Sequence, residues 1–206
     1  MFSLIQAAGW PVWFLILSSI VCVALIIERF LSLRRAQILP PGLLDEVLTL
    51  LRNRQITPDL VGKLARTSPL GKVLASGLRR AGAQRASIKE TMEETGRGVA
   101  HDLGKFLPAL GTIATIAPLL GLFGTVVGMI EIFGSQTTDG VDPQRMAYGI
   151  SVALYNTALG ILVAIPALIC YRHFRTRVEN YMADMEQQAL RLTDELMAAS
   201  VSKDKT

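Results

Sequence analysis

Apolar residues in this chain run in long unbroken stretches rather than in the short alternations of a soluble core. No Asp, Glu, Lys or Arg occurs in Met1–Ile27, Phe106–Ile130 or Met146–Tyr171, blocks of 27, 25 and 26 residues. A bilayer core of roughly 30 Å is crossed by about 20 apolar residues of helix, so each block predicts one spanning helix. Outside the blocks the apolar positions fall into stripes. Ile88, Met92, Val99, Leu103 and Phe106 recur at helical spacing, as do Phe174, Val178, Tyr181, Met185, Ala189, Leu192 and Leu196.

Start and stop signals refine these elements. Thr57-Pro58 and Ser68-Pro69 each place a capping residue before a proline suited to the first helical position. Ser87 with Glu90 reads as a capping box, and the helix it opens is expected to run unbroken to Phe133, about 70 Å at 1.5 Å per residue. Asp142-Pro143 reads as the start of the third spanning helix, which is expected to continue past Tyr171 to the end of its stripe. The acidic residues Glu179, Asp184, Glu186, Asp194 and Glu195 on the polar side disfavour a helix lying on lipid, so a helical bundle is expected there.

Charge then orients the chain. All 38 charged residues lie outside the three blocks, and 13 Lys or Arg fall between Arg34 and Lys105, against Arg145 alone between Glu131 and Arg145. Positive residues stay cytoplasmic, which puts the N-terminus and the short loop outside and the long loop and tail inside. The expected organisation is a periplasmic N-terminus and first span over 1–33, a cytoplasmic helical domain over 34–105 and a second span over 106–133. A short periplasmic loop over 134–145, a third span over 146–171 and a cytoplasmic C-terminal helix and tail over 172–206 follow. The fold class is an all-α membrane protein with spans two and three extended as long helices into a cytoplasmic bundle. The first block lacks the leading Lys or Arg and the cleavage site of a signal peptide and is expected to be retained.

Several function classes fall away. Cys22 and Cys170 both sit inside spans and offer neither a pair nor a metal-ligand spacing, so neither a disulfide framework nor a zinc site is expected, and the two histidines, His101 and His173, lie at the margins of the blocks. No nucleophile and base share a membrane depth, so no catalytic residue, metal or cofactor is expected. The pI near 9.3 follows from positive flanks rather than from a nucleic-acid motif.

The spans differ in kind. The first is bulky and aliphatic, with Trp10 and Trp13 near its outer end, and is expected to face lipid. The second carries Ala114, Pro118, Gly121, Thr125 and Gly128 on one face and a small-xxx-small pair at Gly124 and Gly128. The third carries Ala153, Thr157, Gly160 and Ala164, with Asn156 and Pro166 nearby. Such faces pack against protein. Thr125, Thr157 and Asn156 are candidate pore-lining residues, and Pro118, Gly121, Gly124, Gly128, Gly160 and Pro166 are candidates for helix packing and pore shape. No acid or base occurs at mid-membrane, where one would mark an ion relay, and Glu131 falls at the outer interface.

Ala117-Pro118-Leu119-Leu120-Gly121-Leu122-Phe123-Gly124-Thr125-Val126-Val127-Gly128-Met129-Ile130, with Thr157-Ala158-Leu159-Gly160 and Ala164-Ile165-Pro166-Ala167 further on, resembles the signature of the MotA/TolQ/ExbB proton-channel family. The Glu28-Arg29 exit from span one also matches, and three spans place the chain nearer ExbB and TolQ than MotA. The resemblance implies a ring, a homopentamer in the bacterial inner membrane. Its second and third spans would surround a dimer of single-span ExbD- or TolR-like partners, and H+ flow would drive motion passed to a TonB- or TolA-like protein. By the same resemblance Thr125 and Thr157 are the pore-facing threonines that meet water and the partner's carboxylate. Where many relatives carry a glutamate five residues before the second threonine, this chain has Val152. The partner then carries the whole relay, or the ion differs. A non-conducting membrane scaffold that organises other proteins is the competing expectation.

Overall fold

The computed structural model describes residues 10–134 and 143–203. Among them every regular element is a helix: α1 Pro11–Ser32, α2 Arg35–Ile38, α3 Leu43–Arg52, α4 Pro58–Thr67, α5 Pro69–Arg79, α6 Arg85–Gly104, α7 Leu107–Gly134 and α8 Pro143–Lys203. Three of these are long and apolar enough to cross a membrane, with mean hydropathies of 2.3, 2.1 and 2.0 over their most apolar windows in Pro11–Ser32, Leu107–Gly134 and Met146–Ser200. The chain divides into two compact units, Met1–Arg29 with Phe106–His173, and Phe30–Lys105 with Phe174–Thr206. Both α1 and α8 contribute residues to each.

In the first unit the helices meet on small residues and leave large ones outside. Leu110, Ala114, Ala117, Gly121 and Gly124 of α7 are buried, as are Ala153, Asn156, Gly160, Ala164 and Ala167 of α8. Steps of three and four trace one face on each helix. Leu15 of α1 closes a cluster with Ala117 and Ala164, against which Leu120 and Val163 pack. Leu17, Ile20, Leu119, Leu122, Ile130, Leu154, Leu162 and Ile169 are exposed, an arrangement that water would penalise and hydrocarbon does not. Arg29 is buried at the end of this unit, ion-paired with Glu28 and stacked 4.9 Å above the Phe106 ring. Aromatic edges also tie α1 to α7, with the Trp10 and Phe123 centroids 5.8 Å apart.

The second unit is a helical cluster with an ordinary apolar core. Leu70, Val73, Leu74 and Leu78 of α5, Ile88, Met92 and Val99 of α6, and Phe174, Val178, Tyr181, Met185, Leu192 and Leu196 of α8 are all buried. Gly77 admits the Met92 side chain, whose sulfur lies 2.5 Å from where a Cβ would stand, and the Thr193 hydroxyl donates to that sulfur at 3.6 Å. Tyr181 donates its hydroxyl to the Leu33 carbonyl at 3.0 Å, and Arg35, Arg52 and Arg85 pair with Asp184, Glu195 and Asp194 of α8.

The caps at Thr57 and Ser68 form as expected: their hydroxyls accept from the amides of Leu60 at 3.4 Å and Gly71 at 3.0 Å. Two other expectations are corrected. The capping box at Ser87 does not form. The preceding turn ends at Gly82, in the left-handed region at φ +90, and α6 starts directly on Arg85 with Gln84 as an unassisted cap. Ser87 is then inside the first turn and its carbonyl accepts from Thr91 Oγ1 at 2.9 Å. Nor is there one helix from Ser87 to Phe133. It breaks at Lys105–Phe106, because Pro108 has no amide to offer the Gly104 carbonyl and crowds it with its ring. The expected long helix through the third span does form, as the 61 residues of α8. The expected cap at Asp142 and the short loop 134–145, apart from their described ends, lie outside the described residues.

Candidate functional site

The seam between α7 and α8 is set by glycines. A Cβ on Gly121 would stand 2.7 Å from the Asn156 carbonyl, one on Gly124 2.9 Å from Asn156 Cβ, and one on Gly160 2.5 Å from the Ala117 carbonyl. Each is too near for an alanine in place. The helices therefore approach backbone to backbone, as small-xxx-small faces allow in lipid.

That approach brings Thr125 and Thr157 together. Their Oγ1 atoms are 2.5 Å apart. Thr125 Oγ1 also lies 3.0 Å from the Ala153 carbonyl of the facing helix and 3.2 Å from the Gly121 carbonyl of its own, and Thr157 Oγ1 lies 3.3 Å from the Gly121 carbonyl. Two hydroxyl protons thus have two cross-helix carbonyls and each other to serve. When Thr125 donates to Ala153, Thr157 donates to Thr125; when Thr157 donates to Gly121, Thr125 is free to donate to Thr157. The site is a pair of hydroxyls with alternative proton positions and no titratable group of its own.

The remaining candidates arrange around this clasp unequally. Asn156 is buried at 1 % exposure with its amide against Gly124, one residue from Thr157, and so it is part of the seam between α7 and α8. Gly128 makes ordinary contact with Ala153, its would-be Cβ 3.4 Å from the Ala153 Cβ. Pro118 is half-buried beside Ala117, whereas Pro166 is exposed and does not join the group. Val152 is 7 % exposed, so an apolar side chain fills the position where a glutamate was in question. Thr112 and Thr115 bond only within their own helix, to Pro108, Gly111 and Thr112 carbonyls. The Ala153 carbonyl was missed from the sequence, since a backbone acceptor leaves no side-chain signature. The contact of Tyr171 with Gly111, 3.2 Å from the would-be Cβ, was missed too, although a glycine facing an aromatic at the end of a span was the available signal.

A pair of membrane-capable helices sealed on glycine and joined by a hydroxyl pair defines an α-helical membrane protein with a polar point inside its helix seam. The sequence model of the MotA/TolQ/ExbB proton channel family matches residues 65–187, which take in α7 and most of α8, and the chain belongs to that family. It is 30 % identical over 175 residues to a protein of Synechocystis sp. named as biopolymer transport protein ExbB-like 3, covering 82 % of each chain. A protein of Methanothermobacter thermautotrophicus named as a biopolymer transport protein ExbB homolog is 32 % identical over 119 residues, 58 % of this chain and 42 % of that one.

Proposed function

We propose that this chain is the ring-forming subunit of an ion-driven motor of the ExbB-ExbD or TolQ-TolR type, a homopentamer in the bacterial inner membrane. Its N-terminus is periplasmic and its C-terminus cytoplasmic, as the excess of Lys and Arg between Arg34 and Lys105 supports. It is not an enzyme and carries no cofactor; the ion is H+. The ring encloses a dimer of single-span ExbD- or TolR-like partners and passes their motion to a TonB- or TolA-like protein.

The observation that carries this reading is the Thr125–Thr157 pair at 2.5 Å on a glycine-sealed seam. Hydroxyls that can reverse their donor order hand a proton position along, but they hold no charge at neutral pH. A relay through about 30 Å of hydrocarbon needs an acid or base as well, and Val152 supplies none. The partner supplies it in this reading: by the family resemblance, an aspartate near the start of the partner's span, set beside the threonine pair. Protonation there neutralises a costly buried charge and frees the partner to move.

Replacing Thr125 or Thr157 by Val keeps volume and removes the hydroxyl. Proton uptake by the reconstituted complex is expected to fall about tenfold with the ring still assembled, an order of magnitude set by one lost charge-assisted hydrogen bond. Unchanged uptake with both replaced assigns the pair to packing alone; absence of uptake by the unsubstituted complex favours the non-conducting scaffold, a role for which two hydroxyls satisfied within one chain are sufficient.

A further inference from the structure

Within the first unit α1 and α8 are each antiparallel to α7 and so parallel to one another: Trp10 meets Phe123 and Arg29 meets Phe106, while Gly128 meets Ala153 and Gly111 meets Tyr171. Val163 packs on the cluster that contains Leu15, an offset of 148 residues. One heptad beyond Leu15 and Val163 stand Cys22 and Cys170, at the same offset. Parallel helices that keep register repeat their contacts about every seven residues, so the two cysteines occupy facing positions. Cys22 is buried on the α1 face that also buries Leu15 and Arg29, and Cys170 is half-buried. Helix axes about 8–10 Å apart, with Cα atoms on a radius near 2.3 Å, put facing Cα atoms roughly 3.5–5.5 Å apart, which overlaps the ~4.4–6.8 Å range of disulfides. From sequence alone no cysteine pair was expected, because the two are far apart in the chain and meet only through the packing of the helices.

We propose that Cys22 and Cys170 form a membrane-embedded dithiol that a lipid-soluble organic disulfide converts to an intramolecular disulfide, tethering α1 to α8. The half-exposed Cys170 reacts first. Its thiol loses a proton and attacks the reagent disulfide, giving a mixed disulfide and one reagent thiol. Cys22, held opposite, then loses its proton and displaces the second reagent thiol as the Cys22–Cys170 bond forms. Two protein thiols and one organic disulfide become one protein disulfide and two reagent thiols, so atoms and electrons balance. Two exposures divide the roles: the accessible sulfur attacks and the buried one resolves.

Dithiodipyridine on the full chain in membrane vesicles tests this without reference to ion transport. The expected result is one peptide pair linked through Cys22 and Cys170, no stable pyridyl adduct, and thiopyridone release per chain twice that of Cys22→Ser, which keeps its adduct on Cys170. Cys170→Ser is expected to react at least tenfold more slowly than the unsubstituted chain, since its remaining thiol is buried. A persistent adduct on Cys170 of the unsubstituted chain, disulfides between separate chains, or no reaction of either thiol would each overturn the proposal. The result on the unsubstituted chain decides the matter even where a serine variant folds poorly.

Discussion

At Thr125 and Thr157 a hydroxyl competes with the backbone for the same acceptors. A lone threonine in a spanning helix usually turns back on its own carbonyls, as Thr112 and Thr115 do here. Thr125 and Thr157 instead reach across the seam, because glycines at 121, 124 and 160 let the backbones close on each other. A double-mutant cycle with Thr125→Val and Thr157→Val, read by unfolding in mixed detergent, is expected to give a coupling of about 0.6–1.7 kcal/mol, the range of hydrogen bonds between membrane helices. The same cycle on Thr115 and Thr157 is expected to give none. The threonines and glycines of the seam were legible because small residues at helical spacing are visible as a stripe in the sequence. That the two hydroxyls meet was not, since register between distant helices depends on packing.

Helix ends and helix spacing decide the elements. The spans, the caps at Thr57 and Ser68 and the long α8 were legible because each has a local cause: an apolar block, a hydroxyl before proline, an unbroken stripe. The break between α6 and α7 also has a local cause, Pro108, but the apolar stripe running through it obscured the signal. Glycines separate the two roles that small residues play. Gly98 lies exposed in α6 with nothing within 4 Å of its would-be Cβ, so Gly98→Ala is expected to stabilise the protein by roughly 0.5–1 kcal/mol. Gly160→Ala drives a Cβ to 2.5 Å from the Ala117 carbonyl and is expected to destabilise by about 1–3 kcal/mol. Opposite signs in thermal unfolding of these two variants check the argument; equal signs contradict it. At the Ser68 cap, which is buried, Ser68→Ala is expected to cost about 0.5–2 kcal/mol, with a normal cap contribution lost from α5.

For the whole molecule the proposed reading makes orientation and ion flow inseparable. Arg35, Arg52 and Arg85 all pair with acidic residues of α8, so the long tail of that helix collects basic residues from separate segments of the second unit, which the proposal places in the cytoplasm. These pairs are exposed and screened, and the apolar core beneath them holds the unit together. Single cysteines in a cysteine-free background check the orientation: Gln55→Cys, at an exposed position, is expected to resist an impermeant reagent applied to sealed cells, and Ser135→Cys to react. Exterior labelling at Gln55→Cys would reverse the topology. The central claim is that this chain forms the path while a partner supplies the acid. Gradient-driven proton uptake into liposomes tests it most directly, with the chain alone, with its single-span partner, and with that partner's aspartate changed to asparagine. The account predicts uptake in the second preparation only; equal uptake in all three would contradict it.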